Sequence, residues 1–227
     1  MRNGVMRRLW ASGCLVSYGN ASALRKGEVT VPKQVDHQER RQQIAAAVCR
    51  LAAAHGLEGV SLRHVAAEAG VSMGRVQHYF KTKDEMLLFA FGTISEGVEH
   101  RVTQAVSALP QPLDARSLVR ALLIEMMPIG DHAKAEMPMW VAFFARAVVE
   151  PQMAELLRQG THSLHGFVAE QIGNARRASD SMPDAAREAD ILLSLTDGLM
   201  MRLMVGGIDA EAALAALDHQ LDRAFGT

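Results

Sequence analysis

The sequence predicts an all-α protein, and three observations carry that expectation. From about residue 36 onward apolar side chains recur at intervals of three and four, the spacing that lines one face of a helix, and no segment alternates like a half-buried strand. Capping residues, prolines and glycines fall where this periodicity starts and stops. With 49 % hydrophobic and 22 % charged residues in 227, the chain can bury one or two cores and is too apolar to be disordered throughout.

The elements follow in order. Residues 1–35 show no period and scatter Gly, Ser, Asn and Arg, the composition of a poorly ordered basic arm. Arg7 and Arg8 ahead of Leu9 to Val16 faintly imitate a secretory signal, but Ser12, Gly13 and Cys14 interrupt the apolar stretch. A rival explanation is that translation starts near Val29 or Val31 and the arm is not native. Asp36-x-x-Glu39 is read as a capping box opening a helix with Ile44, Val48, Leu51 and Ala52 on its apolar face, closed at His55-Gly56. Ser61 caps a short helix bearing Leu62, Val65, Ala66 and Ala69, and Gly70 sits at its left-handed end.

Ser72 caps a third helix, on which Val76 and Phe80 point inward and Gly74, Arg75, Gln77 and His78 point out. Thr82-Lys83-Asp84-Glu85 is a second capping box, and its helix keeps an apolar stripe through Leu87, Phe91, Ile94, Val98, Val102 and Val106 as far as Pro110. Further helices are expected at about 115–127, 134–149, 152–177, 184–205 and 209–225, punctuated by Pro128, Pro138, Pro151, Pro183 and Gly206-Gly207.

Charge divides the chain where composition does not. The formal total is −1, yet up to Lys83 thirteen Lys and Arg face five Asp and Glu, a surplus of +8, so the remainder carries −9. A basic segment suited to a polyanion therefore precedes an acidic body with another task. Cys14 and Cys49 can form neither a disulfide framework nor a CxxC metal site, which fits a reducing cytoplasm, and no run reaches the roughly 18 apolar residues of a membrane span.

Residues 60–80 read as helix, tight turn, helix. The second helix of such a pair fits the major groove, about 12 Å wide, with its outward side chains against base edges. Arg75 can bond a guanine edge and Gln77 an adenine edge, each aligned pair contributing roughly 1–3 kcal/mol of discrimination. Ser61, His78, Tyr79 and Lys83 suit phosphate; Arg63, Ser72, Met73 and Gly74 complete the expected DNA-facing set. A cation at Lys83 opposes the dipole of the helix it opens, a cost that a phosphate docked at that helix terminus offsets. The plain alternative is a solvated surface lysine.

The stretch Gly59-Val60-Ser61-Leu62-Arg63-His64-Val65-Ala66-Ala67-Glu68-Ala69-Gly70-Val71-Ser72-Met73-Gly74-Arg75-Val76-Gln77-His78-Tyr79-Phe80-Lys81-Thr82-Lys83-Asp84-Glu85-Met86-Leu87 closely resembles the DNA-binding head of TetR-family transcriptional regulators. The resemblance covers roughly residues 38–88. It implies a three-helix DNA-binding domain over 36–82, joined by a long helix to a helical ligand-binding and dimerisation domain over 83–227. It implies further that Ser61 is a phosphate-touching hydroxyl, Tyr79-Phe80 the family's aromatic pair and Lys83 its phosphate lysine. Gln77 departs from the aromatic residue common at its position and Met73 from a polar one, so base preferences do not transfer. Leu195-Thr196-Asp197-Gly198-Leu199 is similar to the BetI-like branch.

In the acidic body, Leu192, Leu193, Thr196, Leu199, Met200 and Leu203 form one stripe, with Ile191, Leu195 and Met204 beside it; Leu214, Leu217, Leu221 and Phe225 follow on the last helix. Two such helices from each chain would make a homodimeric four-helix bundle, with an intramolecular core as the alternative. Met126, Met127, Met137, Met139, Trp140, Phe143 and Phe144 concentrate adaptable thioethers and rings, against which His132 and Arg146 could supply polarity. Met126, Met127, His132, Trp140, Phe143, Phe144, Arg146, Thr196 and Met200 are the candidate contacts for a largely apolar small-molecule effector, plain core being the alternative.

No cofactor or metal is expected. His162 and His165 lie three apart without further ligands, and no HExxH, GxSxG, Walker loop or GxGxxG follows a strand, which argues against an enzyme. The expected function is a cytoplasmic repressor that binds a palindromic operator in double-stranded DNA as a homodimer and is released by its effector. The alternative from another class is an all-helical protein-interaction adaptor, which leaves the +8 segment unexplained.

Overall fold

The computed structural model describes residues 31–56, 59–176 and 184–226, with side chains from residue 39 onward. Within them lie nine helices and no strand: α1 (Val31–His55), α2 (Leu62–Glu68), α3 (Met73–Tyr79), α4 (Lys83–Ala108), α5 (Ala115–Glu125), α6 (Asp131–Ala147), α7 (Pro151–Arg176), α8 (Ala185–Met204) and α9 (Ala210–Phe225). The all-α expectation holds, and most boundaries fall within three residues of the sequence reading. The arm expected at the N-terminus lies outside the described residues as far as residue 30, as does Pro183.

One boundary is corrected. Asp36 and Glu39 do not open α1, which already begins at Val31. Pro32 explains the earlier start: in a first turn the missing N–H is one no helix would use, and the ring presets φ. Pro138 lies inside α6, as the expected range 134–149 already had it.

The described chain forms two compact units, residues 31–97 with 135–155 and residues 98–134 with 156–226, and passes between them within α4, α6 and α7. In the first unit Ile44, Ala45, Ala47, Val48 and Ala52 of α1 meet Val65, Ala66 and Ala69 around α2, Val76 and Phe80 around α3, and Met86, Leu87, Ala90 and Ile94 of α4. All are buried. α2 and α3, seven residues each, are too brief to be stable alone, so this shared core holds them.

In the second unit Val98, Val102 and Val106 continue the α4 stripe into a core with Leu118, Val119, Leu122 and Leu123 of α5. Leu164, Phe167, Val168 and Ile172 of α7, Leu192 and Leu199 of α8, and Leu217, Leu221 and Phe225 of α9 complete it. Asp114, Asp184 and Asp209 cap α5, α8 and α9, accepting from the backbone N–H of Ser117, Ala186 and Ala212 at 2.8, 3.1 and 2.8 Å. Polar clamps bind α5 to α9: Arg120 grips both Asp218 carboxylate oxygens at 2.6 and 2.9 Å, and Arg116 reaches Asp218 and Asp222.

Candidate nucleic-acid interface

The short helices owe their placement to local hydrogen bonding. Ser61 Oγ accepts from the His64 N–H at 3.1 Å, and Ser72 Oγ accepts from the Arg75 N–H at 3.2 Å, satisfying donors that a helix start leaves orphaned. Gly70 has φ +65°; its N–H reaches the Ala67 carbonyl at 3.2 Å while the Val71 N–H reaches Ala66 at 2.9 Å. That paired pattern is a Schellman closure, which a left-handed glycine permits without strain. The turn between α2 and α3 is therefore set by backbone chemistry, and the direction of α3 with it.

On α3 the period divides the side chains cleanly. Val76 is buried and Phe80 follows it into the core, whereas Met73, Gly74, Arg75, Gln77 and His78 are exposed and Tyr79 is half-buried. His78 meets Tyr79 edge-on with ring centroids 5.4 Å apart. Arg63 on α2 and Lys83 at the start of α4 are exposed, and Ser61 is half-buried. All ten residues expected at DNA thus belong to one compact unit: Ser61, Arg63, Ser72, Met73, Gly74, Arg75 and Lys83 at the starts of α2, α3 and α4, and Gln77, His78 and Tyr79 in the last turn of α3. Helix starts present N–H groups and partial positive charge, which suits phosphate.

At the corner between α3 and α4, Thr82 Oγ1 accepts from the Glu85 N–H at 3.0 Å. Glu85 reaches back one residue further than a standard capping box, accepting from the Lys81 N–H at 2.6 Å, while Lys81 Nζ donates to the Gln77 carbonyl at 3.1 Å. The end of α3 and the start of α4 are stitched together across three residues.

Sequence reasoning missed Arg41. Its guanidinium stands 4.2 Å from the Phe89 ring centroid and 5.4 Å from that of Phe80, so a cation on α1 is stacked at the α3–α4 corner. Periodicity identifies apolar faces, and an arginine covering aromatic surface leaves no mark in it.

The residues assigned to an effector are distributed over both units. Trp140, Phe143 and Phe144 on α6 gather with Phe91 of α4: Phe143 stacks on Phe91 at 3.8 Å and 9°, and Trp140 meets Phe91 edge-on at 4.6 Å. Arg146, on the same helix, pairs with Asp84 at 3.3 Å and lies 4.0 Å from Glu150. Met126 and Met127 instead join the core of the second unit. Thr196 is buried with its hydroxyl donating to the Leu192 carbonyl at 2.9 Å, Met200 is half-buried, and His132 is exposed.

Among the described residues no group of three metal-ligating side chains occurs. His165 instead lies 3.0 Å from the Ala186 carbonyl and 3.1 Å from Asp190, and His162 is exposed.

A helix pair closed by a tight turn and carrying an outward polar face, in a chain whose second unit is also helical, defines a helix-turn-helix DNA-binding regulator. Residues 44–89 match the family of bacterial regulatory proteins called the tetR family, and residues 115–226 match the C-terminal domain of BetI-type transcriptional repressors. The chain is 35 % identical over 176 residues to the HTH-type transcriptional regulator PksA of Bacillus subtilis, spanning 77 % of this chain and 83 % of PksA. A transcriptional regulator from Rhodococcus sp. Rha1 has the same fold, with a TM-score of 0.71 at 30 % identity over 82 % of this chain and 96 % of that one. A regulator from Saccharomonospora viridis, solved in complex with choline, superposes with a TM-score of 0.72 at 21 % identity over 82 % and 96 %.

The chain belongs to the TetR family of transcriptional regulators. That is a family of regulators and not of enzymes, and the adaptor reading gives way to it.

Proposed function

We propose that two copies of the chain bind a palindromic operator and repress transcription until a small molecule occupies the C-terminal domain. The observation that carries this reading is the outer arc of α3, where Arg75 and Gln77 are exposed on a helix pinned by the Ser72 cap and the Gly70 closure. Held in that way, the helix backbone needs no further ordering on binding, so only the rotamers of Arg75 and Gln77 have to be fixed for an Arg–guanine and a Gln–adenine pair. Ser61, Arg63, Ser72, His78, Tyr79 and Lys83 serve phosphate, and operator affinity falls steeply with salt.

Dimerisation rests on α8. Ile191, Ser194, Gly198, Met201 and Val205 recur at helical spacing and are all exposed, with the three apolar side chains 45, 57 and 75 % accessible. Such a stripe is a self-complementary seam for a second copy. Half-sites about 34–36 Å apart then demand a fixed separation of the two α3 helices. An effector that favours another separation releases DNA, and linkage makes the coupling reciprocal. The α6 aromatics and the second-unit methionines suit a ligand with a large apolar part; the Saccharomonospora viridis regulator holds choline. A protein with this task works in the cytoplasm.

Selection from random duplexes tests the reading. A two-fold symmetric site is expected, and Lys83→Glu abolishes retention on it. Recovery of no duplex in dilute buffer overturns the proposal.

A further inference from the structure

Met73 stands apart among the side chains of the reading head. It is 46 % exposed and is the only large hydrophobic left exposed between residues 39 and 97 among those described. It is also the first residue of α3, and the leading residues of a reading helix are the ones that reach base edges. Its neighbours on the outward arc, Arg75 and Gln77, are hydrogen-bonding groups.

Next to it Gly74 has no internal reason to be glycine. Its φ is not left-handed, and nothing lies within 4 Å of where a Cβ would sit. Neither packing nor backbone strain calls for it, and the missing side chain lets the start of α3 sit closer to a groove floor.

We propose that Met73 reads a thymine, packing its thioether against the 5-methyl group in the major groove. The inference rests on the DNA-binding reading above and adds to it the identity of one base pair in each half-site. Among the groups that the major groove displays, the thymine methyl is the one bulky apolar group; the rest are donors, acceptors or the small C–H of cytosine. A thioether pressed against those would strip water from them and return no hydrogen bond. Against a methyl group it gains apolar contact, and three rotatable bonds let it find the position.

The test uses the full-length protein and an operator duplex recovered by selection. Each thymine of a half-site is replaced in turn by deoxyuridine, which removes the methyl group and keeps the base-pairing edge. For one thymine, affinity is expected to fall about fourfold per half-site, equivalent to the ~0.8 kcal/mol of one buried methyl group. Substituting both half-sites lowers it about fifteenfold. With Met73→Ser that penalty shrinks below about 1.5-fold, while Met73→Leu retains it. Specific binding with no thymine whose methyl matters, or a penalty equal in wild type and Met73→Ser, overturns the inference and leaves the regulator reading standing. Absence of any specific duplex overturns both.

Discussion

Single residues already show how the head is built. Cys49 is half-buried on α1 against the first core, and desolvation, reinforced by Glu136 and only partly opposed by Arg50, pushes its thiol up to about 11. At neutral pH it is a small apolar group, not a nucleophile. In a Cys14→Ser background, a thiol reagent at pH 8 is expected to label the native protein far more slowly than the urea-unfolded chain; equal rates would contradict that burial. The sign of the linkage follows. An unfolded thiol loses its proton near pH 8.5 while the folded one keeps it, so Cys49 draws stability down as pH rises from there towards 11. Arg41 contributes in the opposite sense. Replacing it with alanine uncovers Phe80 and Phe89 and should lower stability in urea by about 1–2 kcal/mol, with the α3 side chains untouched.

Helices were legible where a local signal and a periodic one coincided. Ser61, Ser72 and Thr82 cap as their spacing implies, and the stripes of α3 and α4 are buried as read, with Leu62 on α2 left half-buried. Asp36 had equal local credentials and failed, because a proline at the true start competed with it. What no single helix could announce was the clamp between α5 and α9. Arg120 and Asp218 lie 98 residues apart, and their pairing depends on how two helices pack. The Arg120 hydrogen bonds, opposed by some desolvation and aided by the charges of Arg120 and Arg116, hold the Asp218 carboxyl below the ordinary range. A lowered carboxylate pKa gives stability that is complete above the unfolded value of about 3.9 and is lost as pH falls through the folded one. Wild type should therefore exceed Asp218→Asn in thermal midpoint at pH 7, and the gap should close in strong acid. A gap independent of pH would assign the effect to packing instead.

For the molecule as a whole the prediction concerns assembly. Met201→Glu places a charge in the middle of the exposed α8 stripe, at a position outside both hydrophobic cores. Sedimentation should then report monomer with helical content unchanged, and operator affinity should fall because one head cannot engage two half-sites together. A dimer that persists would place the seam elsewhere. Effector and DNA should also antagonise each other by one common factor, typically 5- to 150-fold, measured from either side.

Helical class, the order of elements and the α2–turn–α3 reading unit were all written in the chain, because they depend on neighbours three or four positions apart. The packing of helices settled what such short spacings cannot: that Arg41 covers two phenylalanines, that Arg146 meets Asp84, and that the methionines and aromatics grouped in sequence divide between two cores. On α8 the stripe read from sequence proved to be the inner one, while Met201 and Val205, not singled out by the pattern, are the apolar groups left facing water. A hydrophobic period states that a face must be covered. Which of two apolar faces is covered from within the chain depends on contacts between residues far apart in sequence.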